Sequence, residues 1–313
     1  MRTLEILTEG GVIDSEHSPA KPQPNFSVIV TCYNKEATIE AAIRSAHQQG
    51  GDVEIIVVDD KSGDASRTIL AGLEVDKVIL HETNKGALGA YLTGFRAATG
   101  RILVMLDGDD RLAPGILPAL AKTGWLNETT CVRLGMTTAD DNTELASVDT
   151  PLKCAGTFRP GRLFILCQST GGTAYVFPKV LFDQADTGLA GWWPQITVQD
   201  HVLPGMIGLL AKRFIKLKTT GYYMAQAGDG MTLGAQTAVT HHDRLLSDYA
   251  ILCAAEGPLR QGPVSRFMLR LALFKRMRKL ARRYRFKTPI SFKHVRPSNA
   301  RHATIQDLAK IIK

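Results

Sequence analysis

Four short apolar runs, spaced by segments of helical character, constrain this chain more than any other feature. Phe26 to Thr31 (FSVIVT), Val53 to Val58 (VEIIVV), Lys77 to Leu80 (KVIL) and Arg101 to Leu106 (RILVML) are each of strand length and rich in β-branched residues. Apolar residues fill successive positions, so both faces of each strand must be covered. Helix-like segments lie between them, over Glu36 to Gln48, Asp64 to Leu73 and Ala87 to Ala98. This alternation predicts an α/β fold, with parallel strands joined by right-handed crossovers. The second half is less regular. Strands are expected over Cys131 to Thr137, Thr173 to Phe177 and Phe214 to Tyr223, and helices over Lys179 to Ala185, Val198 to Leu210 and Ala238 to Ala254. It reads as a continuation of the same sheet with irregular loops.

Residues 1–25 end in the Pro-rich polar run SPAKPQPN and read as an arm or linker. Five scattered cysteines, with no C-x-x-C pair, argue against a zinc site or a disulfide framework. Free thiols in a reducing compartment are the simplest reading. The first residues contain acids and no long apolar stretch, unlike a secretory signal. No window approaches the roughly 18 apolar residues of a membrane span. A cytoplasmic protein is therefore expected, one still able to rest on the inner face of a membrane.

The net charge of +8 belongs to one segment. No acid occurs between Glu256 and Asp307, while 14 of the 38 Lys and Arg residues lie there, leaving 24 to face 30 acids elsewhere. Residues 256–313 thus form a basic tail. Within it, Phe267, Leu271, Phe274, Ala281 and Tyr284 recur at helical spacing, with Met277 near the same face. A basic amphipathic helix over 264–287 is a candidate for an anionic membrane surface; the alternative is a helix packed on its own domain with a solvated basic face. The tail lacks the clustered aromatics of single-strand binders, so no specific nucleic-acid partner is expected.

The chemistry is concentrated at strand ends. The first strand ends in Thr31-Cys32-Tyr33-Asn34, the second in Asp59-Asp60-Lys61-Ser62 and the fourth in Asp107-Gly108-Asp109-Asp110. Parallel strands put these ends on one edge, where open α/β sheets bind ligands. Three acids within four residues repel one another, and crowding raises their pKa values. A hard divalent cation, Mg²⁺ or Mn²⁺, removes that conflict and is often shared with substrate phosphates. An acidic turn in which Asp110 caps the next helix is the other reading.

Taken together, VIVTCYNKEATIEAAIRSAHQQ, VEIIVVDDKSGDASRTIL and NKGALGAYLTGFRAATGRILVMLDGDD resemble the family 2 glycosyltransferases. The resemblance is continuous from Phe26 to about Asp110 and continues more weakly to about Thr232. It implies the GT-A fold, a Rossmann-like, mixed but mostly parallel sheet flanked by helices, here followed by the basic helical tail. Residues 26–255 would be the transferase domain, 26–110 its nucleotide-binding half and 111–255 its acceptor half. It also implies metal-dependent, inverting transfer of a sugar from a nucleotide sugar, with a UDP-sugar favoured, to a glycan, polysaccharide or lipid-linked acceptor.

Residue by residue, the resemblance places Thr31 and Tyr33 beside the nucleobase, Tyr33 stacking on it, and Asp60 on the uracil, with Asp59 supporting the loop. Lys85 and Gly86 lie in a loop approaching the nucleotide. Asp107 and Asp109 match the DxD motif, Asp109 contacting the metal and Asp107 binding the ribose or orienting metal-bound waters. Asp200, in Thr197-Val198-Gln199-Asp200-His201, matches the catalytic base, Gln199 replacing a common Glu; a helix N-cap is its alternative role. Gly172, within Gly171-Gly172-Thr173, resembles the acceptor loop, and Trp192 and Trp193 are acceptor-side aromatics unless they belong to the core. Gly228 to Thr232 resembles the loop that closes over the diphosphate. The chain departs from the family pattern at Met224 and Tyr91, where arginines are common, and lacks the usual His of the late loop, for which His241 or His242 could substitute. A sugar nucleotidyltransferase would want a Gly-rich basic loop in place of TCYNKEAT, and a NAD enzyme a G-x-G-x-x-G. A non-catalytic binding module on the same fold is the remaining alternative.

Overall fold

The computed structural model describes residues 5–8, 25–140, 143–148, 151–158, 174–191, 199–225, 238–259 and 261–284. The chain divides into two compact units. The first comprises Met1–Phe158, Thr173–Phe182 and Arg213–Gly230, and the second Arg159–Gly172, Asp183–Lys212 and Met231–Lys313.

The first unit is built on one sheet. Its strands are β1 (Glu5–Thr8), β2 (Phe26–Cys32), β3 (Val53–Asp59), β4 (Lys77–Leu80), β5 (Ile102–Asp107), β6 (Arg111–Leu112), β7 (Thr130–Ala139), β8 (Cys154–Phe158), β9 (Tyr175–Pro178) and β10 (Arg213–Ala225). They run in the order β1-β4-β3-β2-β5-β9-β7-β10-β6, with β8 also paired to β10. The half from β1 to β5 is parallel. Strand β9 then lies antiparallel between β5 and β7, β10 runs parallel to β7, and β6 and β8 are antiparallel to β10. All seven residues of β2 and of β3 are buried, as the unbroken apolar runs require. The four expected parallel strands appear within one residue of their predicted bounds. Part of the segment read as an arm is itself structured: Glu5–Thr8 pairs in parallel with β4.

Helices α1 (Ile39–His47), α2 (Ser66–Leu70), α3 (Gly86–Ala97) and α4 (Ile116–Lys122) belong to this unit, and α5 (Lys179–Leu189) begins in it. Helix α1 buries Ile39, Ala42, Ile43 and Ala46 at three- and four-residue steps. Helix α3 lies so close to the sheet that a Cβ on Gly94 would sit 2.4 Å from Ile29 Cγ2. The chain moves outward from β2 through β3 to β4, then returns to β5 on the other side of β2. The strand order therefore reverses between β2 and β5, where α/β sheets open a crevice.

One charged residue inside β3 anchors the opposite end of the sheet. Glu54 accepts hydrogen bonds from Ser27 Oγ at 2.5 Å, Thr99 N at 2.9 Å, Thr99 Oγ1 at 2.9 Å and Lys77 Nζ at 3.0 Å. Burial alone would raise its pKa, but the bonds from Ser27, Thr99 and Lys77 outweigh it and hold the carboxyl below its ordinary value. Its stabilisation is thus complete at neutral pH and is lost as pH falls through the depressed folded value. Glu54→Ala removes the carboxylate partner of Lys77 and the acceptor of three further donors, and should cost about 3 to 5 kcal/mol by urea unfolding at pH 7.

In the second unit, α6 (Gln199–Leu210), α7 (Ala238–Glu256) and α8 (Pro263–Tyr284) pack with α7 against both others. The tail helix exists, but its buried stripe is Leu269, Leu273 and Met277, not the expected stripe through Phe267, which is 54% exposed. Packing on α7 selects one of two adjacent stripes. Arg270 pairs with Glu256 at the end of α7, and the Arg278 guanidinium lies 5.6 Å from the Phe274 ring centroid. No helix among the described residues is long and apolar enough to cross a membrane.

Candidate active site

The register of β2 against β5 assembles the site. Thr31 is the partner of Asp107 across this pair, and Cys32 is the partner of Asp59 across β2 and β3. The three polar strand ends thus meet at one edge, as the parallel reading requires. Beyond β5 the chain turns tightly, with Asp110 N donating to Asp107 O at 3.0 Å. Gly108 is demanded here, because a Cβ would lie 2.5 Å from the Thr31 carbonyl oxygen. The Gly108 carbonyl accepts from Thr38 Oγ1 at 2.9 Å, tying the turn to the start of α1.

Asp107, Asp109 and Asp110 can bring one carboxylate oxygen each within 4.8 Å of one another. Each has its own support. Asp107 Oδ1 accepts from Tyr91 OH at 2.8 Å and Thr31 Oγ1 at 3.3 Å. Asp109 pairs with Lys35 Nζ at 2.5 Å, both side chains being about a quarter exposed. Asp110 is buried and accepts from Ala225 N at 2.9 Å, at the end of β10. The helix-cap reading of Asp110 therefore fails: β6 follows it directly, and its carboxylate closes β10 instead. Tyr222, fully buried on β10, accepts from Asp107 N at 3.2 Å and hydrogen-bonds Asp110.

Burial, and then the charges of Asp107 and Asp109, push the Asp110 carboxyl up to about 7. A cluster of this kind suits a hard divalent cation: three oxygen donors, one lysine offsetting one charge, and a carboxyl that ionises at neutral pH only against its neighbours. The folded state holds this proton more tightly than the unfolded chain does. In EDTA, stability should therefore fall as pH rises from about 4 to about 7, the interval between the ordinary and the raised value. Urea unfolding across that range checks it. Asp110→Asn should flatten the slope, and an equal slope in the variant would assign it to another group.

The second wall of the crevice is the end of β3. Asp60 is 3% exposed; its Oδ1 accepts from Lys85 N at 2.7 Å, and its N donates to Cys32 O at 2.8 Å. Asp59 is fully buried and accepts from Arg67 Nε at 2.5 Å and Ser62 N at 3.1 Å, so it supports the loop. Gly86, at φ +73°, lets Asn84 Oδ1 accept its N–H as α3 begins. Tyr33, just past β2, is half exposed, its ring accessible to a flat ligand.

The structure thus brings Thr31, Tyr33, Asp60, Lys85, Asp107 and Asp109 to one sheet edge. Asp200 is the second residue of α6, in the second unit. Gly172, Trp192, Trp193 and the Gly228–Thr232 loop lie outside the described residues. Sequence reasoning passed over Lys35 as a partner of Asp109 and the hydroxyl of Tyr222 between two of the acids. Tyr91, flagged as a lost cation, supplies a neutral donor to Asp107.

Known proteins resemble this chain in sequence and in fold. The model of glycosyl transferase family 2 matches residues 27–145. The succinoglycan biosynthesis protein ExoO of Rhizobium meliloti is 35% identical over 129 residues, 40% of this chain and 35% of that one. The GalNAc(5)-diNAcBac-PP-undecaprenol beta-1,3-glucosyltransferase of Campylobacter jejuni is 37% identical over 103 residues, 31% of this chain and 33% of that one. The match spans about a third of each relative's length. Among solved structures, S. aureus TarS 1-349 in complex with UDP-GlcNAc superposes with a TM-score of 0.60 at 18% identity, over 87% of this chain and 78% of that one. That likeness establishes the GT-A fold, and residues 27–145 within it are the segment that is similar to glycosyl transferase family 2.

Proposed function

We propose that this chain transfers a sugar from a UDP-sugar to a lipid-linked or other glycan acceptor, with inversion at the anomeric carbon. The observation that carries the reading is the gathering of Asp107, Asp109 and Asp110 at the ends of the paired strands β2 and β5, beside Asp60 and the exposed ring of Tyr33. The Campylobacter relative's name, a glucosyltransferase acting on an undecaprenol-linked glycan, and the UDP-GlcNAc in the TarS complex support the acceptor and donor classes.

In this reading Tyr33 stacks on the base, Asp60 accepts a hydrogen bond from its imide N–H, and Thr31, Lys85 and Gly86 shape the nucleotide pocket. Asp109 and Asp107 would hold Mn²⁺ or Mg²⁺, which when bound would stabilise the charge on the departing diphosphate. The acceptor hydroxyl attacks C1 as the bond to UDP breaks. Asp200 takes the hydroxyl proton, without which the oxygen is a poor nucleophile. Gly172, Trp192 and Trp193 would contact the acceptor, and residues 264–287 would hold the enzyme against an anionic membrane where such acceptors reside. Mixing the chain with a panel of UDP-sugars and Mn²⁺ tests the reading. Release of UDP that rises on adding a polyprenyl-linked glycan supports it; no UDP release with any donor overturns it. Flotation with anionic vesicles checks the membrane arm separately.

A further inference from the structure

His81 stands just beyond β4 with 1% of its surface exposed, and each of its four polar groups is engaged. Its N–H donates to Asp59 O at 2.9 Å, and its carbonyl accepts from Arg67 Nη2 at 2.9 Å. Ring Nδ1 lies 2.7 Å from Asp60 Oδ1, and Nε2 lies 2.9 Å from Thr93 Oγ1 on α3. Facing a carboxylate, Nδ1 must carry the proton in neutral imidazole; Nε2 then accepts from the Thr93 hydroxyl. The ring is thus a spacer of fixed orientation between the ends of β3 and β4 and the body of α3.

Asp60 is held through the same oxygen from a second side. Oδ1 also takes the Lys85 N–H at 2.7 Å, while Asn84 Nδ2 donates to the Asp60 carbonyl at 3.1 Å. Two donors at right positions on Oδ1 fix the rotation of the carboxylate and leave Oδ2 outside this network. An acid so fixed discriminates between bases. The imide N3–H of uracil can donate to it, whereas cytosine N3 carries a lone pair that meets the same charge.

We infer that His81 is the positioning residue for Asp60, and that the His81–Thr93 pair sets a preference for uridine over cytidine nucleotides. The inference rests on the reading of Asp60 as the base-contacting acid. It is tested by calorimetric titration of UDP and of CDP, each with Mn²⁺, into the full chain and into Asp60→Asn, His81→Leu, His81→Asn and Thr93→Val, each checked for folding by thermal melting. His81→Leu should weaken UDP binding about tenfold, the worth of one charge-assisted hydrogen bond, and bring UDP and CDP within about threefold of each other. His81→Asn keeps an N–H near the Nδ1 position and should restore most of the preference. In turnover, His81→Leu should raise KM for the donor and leave kcat nearly unchanged, a split that general loosening of the fold would not produce. If His81→Leu does not fold, Thr93→Val decides instead, with an expected loss of about threefold in the UDP preference. An unchanged UDP-to-CDP ratio in the folded His81 or Thr93 variant, with the ratio lost in Asp60→Asn, overturns the role of His81 alone. A wild-type ratio in Asp60→Asn overturns the reading of Asp60 beneath it.

Discussion

Asp109→Asn is expected to lower sugar transfer by about three orders of magnitude, the scale of losing a group that stabilises transition-state charge. Asp109 is about a quarter exposed and pairs with Lys35, from the loop after β2. Because both groups are partly solvated, breaking their pair should change stability by less than about 1 kcal/mol. Activity and fold therefore separate at this position, which makes it a clean probe. Asp107 is a poorer one: Tyr91, Thr31 and Tyr222 all bond to it, so its loss disturbs the β2–β5 junction as well. Steady-state transfer assays beside urea unfolding check both halves of the expectation. A variant with wild-type turnover would remove Asp109 from the donor site.

Asp200→Asn should lower kcat about a hundredfold while leaving UDP affinity in the presence of Mn²⁺ unchanged. General base catalysis is worth about two to four orders of magnitude, and an amide of the same shape cannot accept the acceptor proton. The residues proposed to bind the nucleotide belong to the first unit, whereas Asp200 begins α6 in the second. Loss of turnover with UDP binding intact would mark an acceptor-side role. Loss of both would mark a structural one, in line with the N-cap alternative at this helix start.

The parallel core was legible because burial on both faces leaves a strong trace. Unbroken apolar runs such as FSVIVTC and VEIIVVD have few other places in a folded chain. The acid cluster was legible for the same reason, since polar residues at the ends of such runs fall on one edge. What escaped was set by contacts distant in sequence. Tyr222 reaches Asp107 across 115 positions, and nothing in YYMA distinguishes a hydroxyl aimed at an acid from an ordinary core tyrosine. Lys35 looks like any loop lysine until β2 and β5 are placed side by side. Strand β6 has two residues, too few for any periodicity to register. In α8 two apolar stripes lie one step apart, and only the packing of α7 selects the one through Leu273. Tyr91 is the instructive case. Read as a missing cation, it proves to donate a hydrogen bond to Asp107, so the junction keeps a donor there but gains no positive charge.

That lack of charge sharpens the central proposal, that Asp107 and Asp109 would hold a divalent cation against the donor diphosphate. The most direct measurement is the affinity for UDP with Mn²⁺ and with EDTA, in the native chain and in the folded Asp107→Asn, Asp109→Asn double variant. The native chain should bind UDP at least about tenfold more tightly with Mn²⁺, and the double variant should bind it equally weakly under both conditions. Undiminished, Mn²⁺-dependent UDP binding by the double variant would contradict the account.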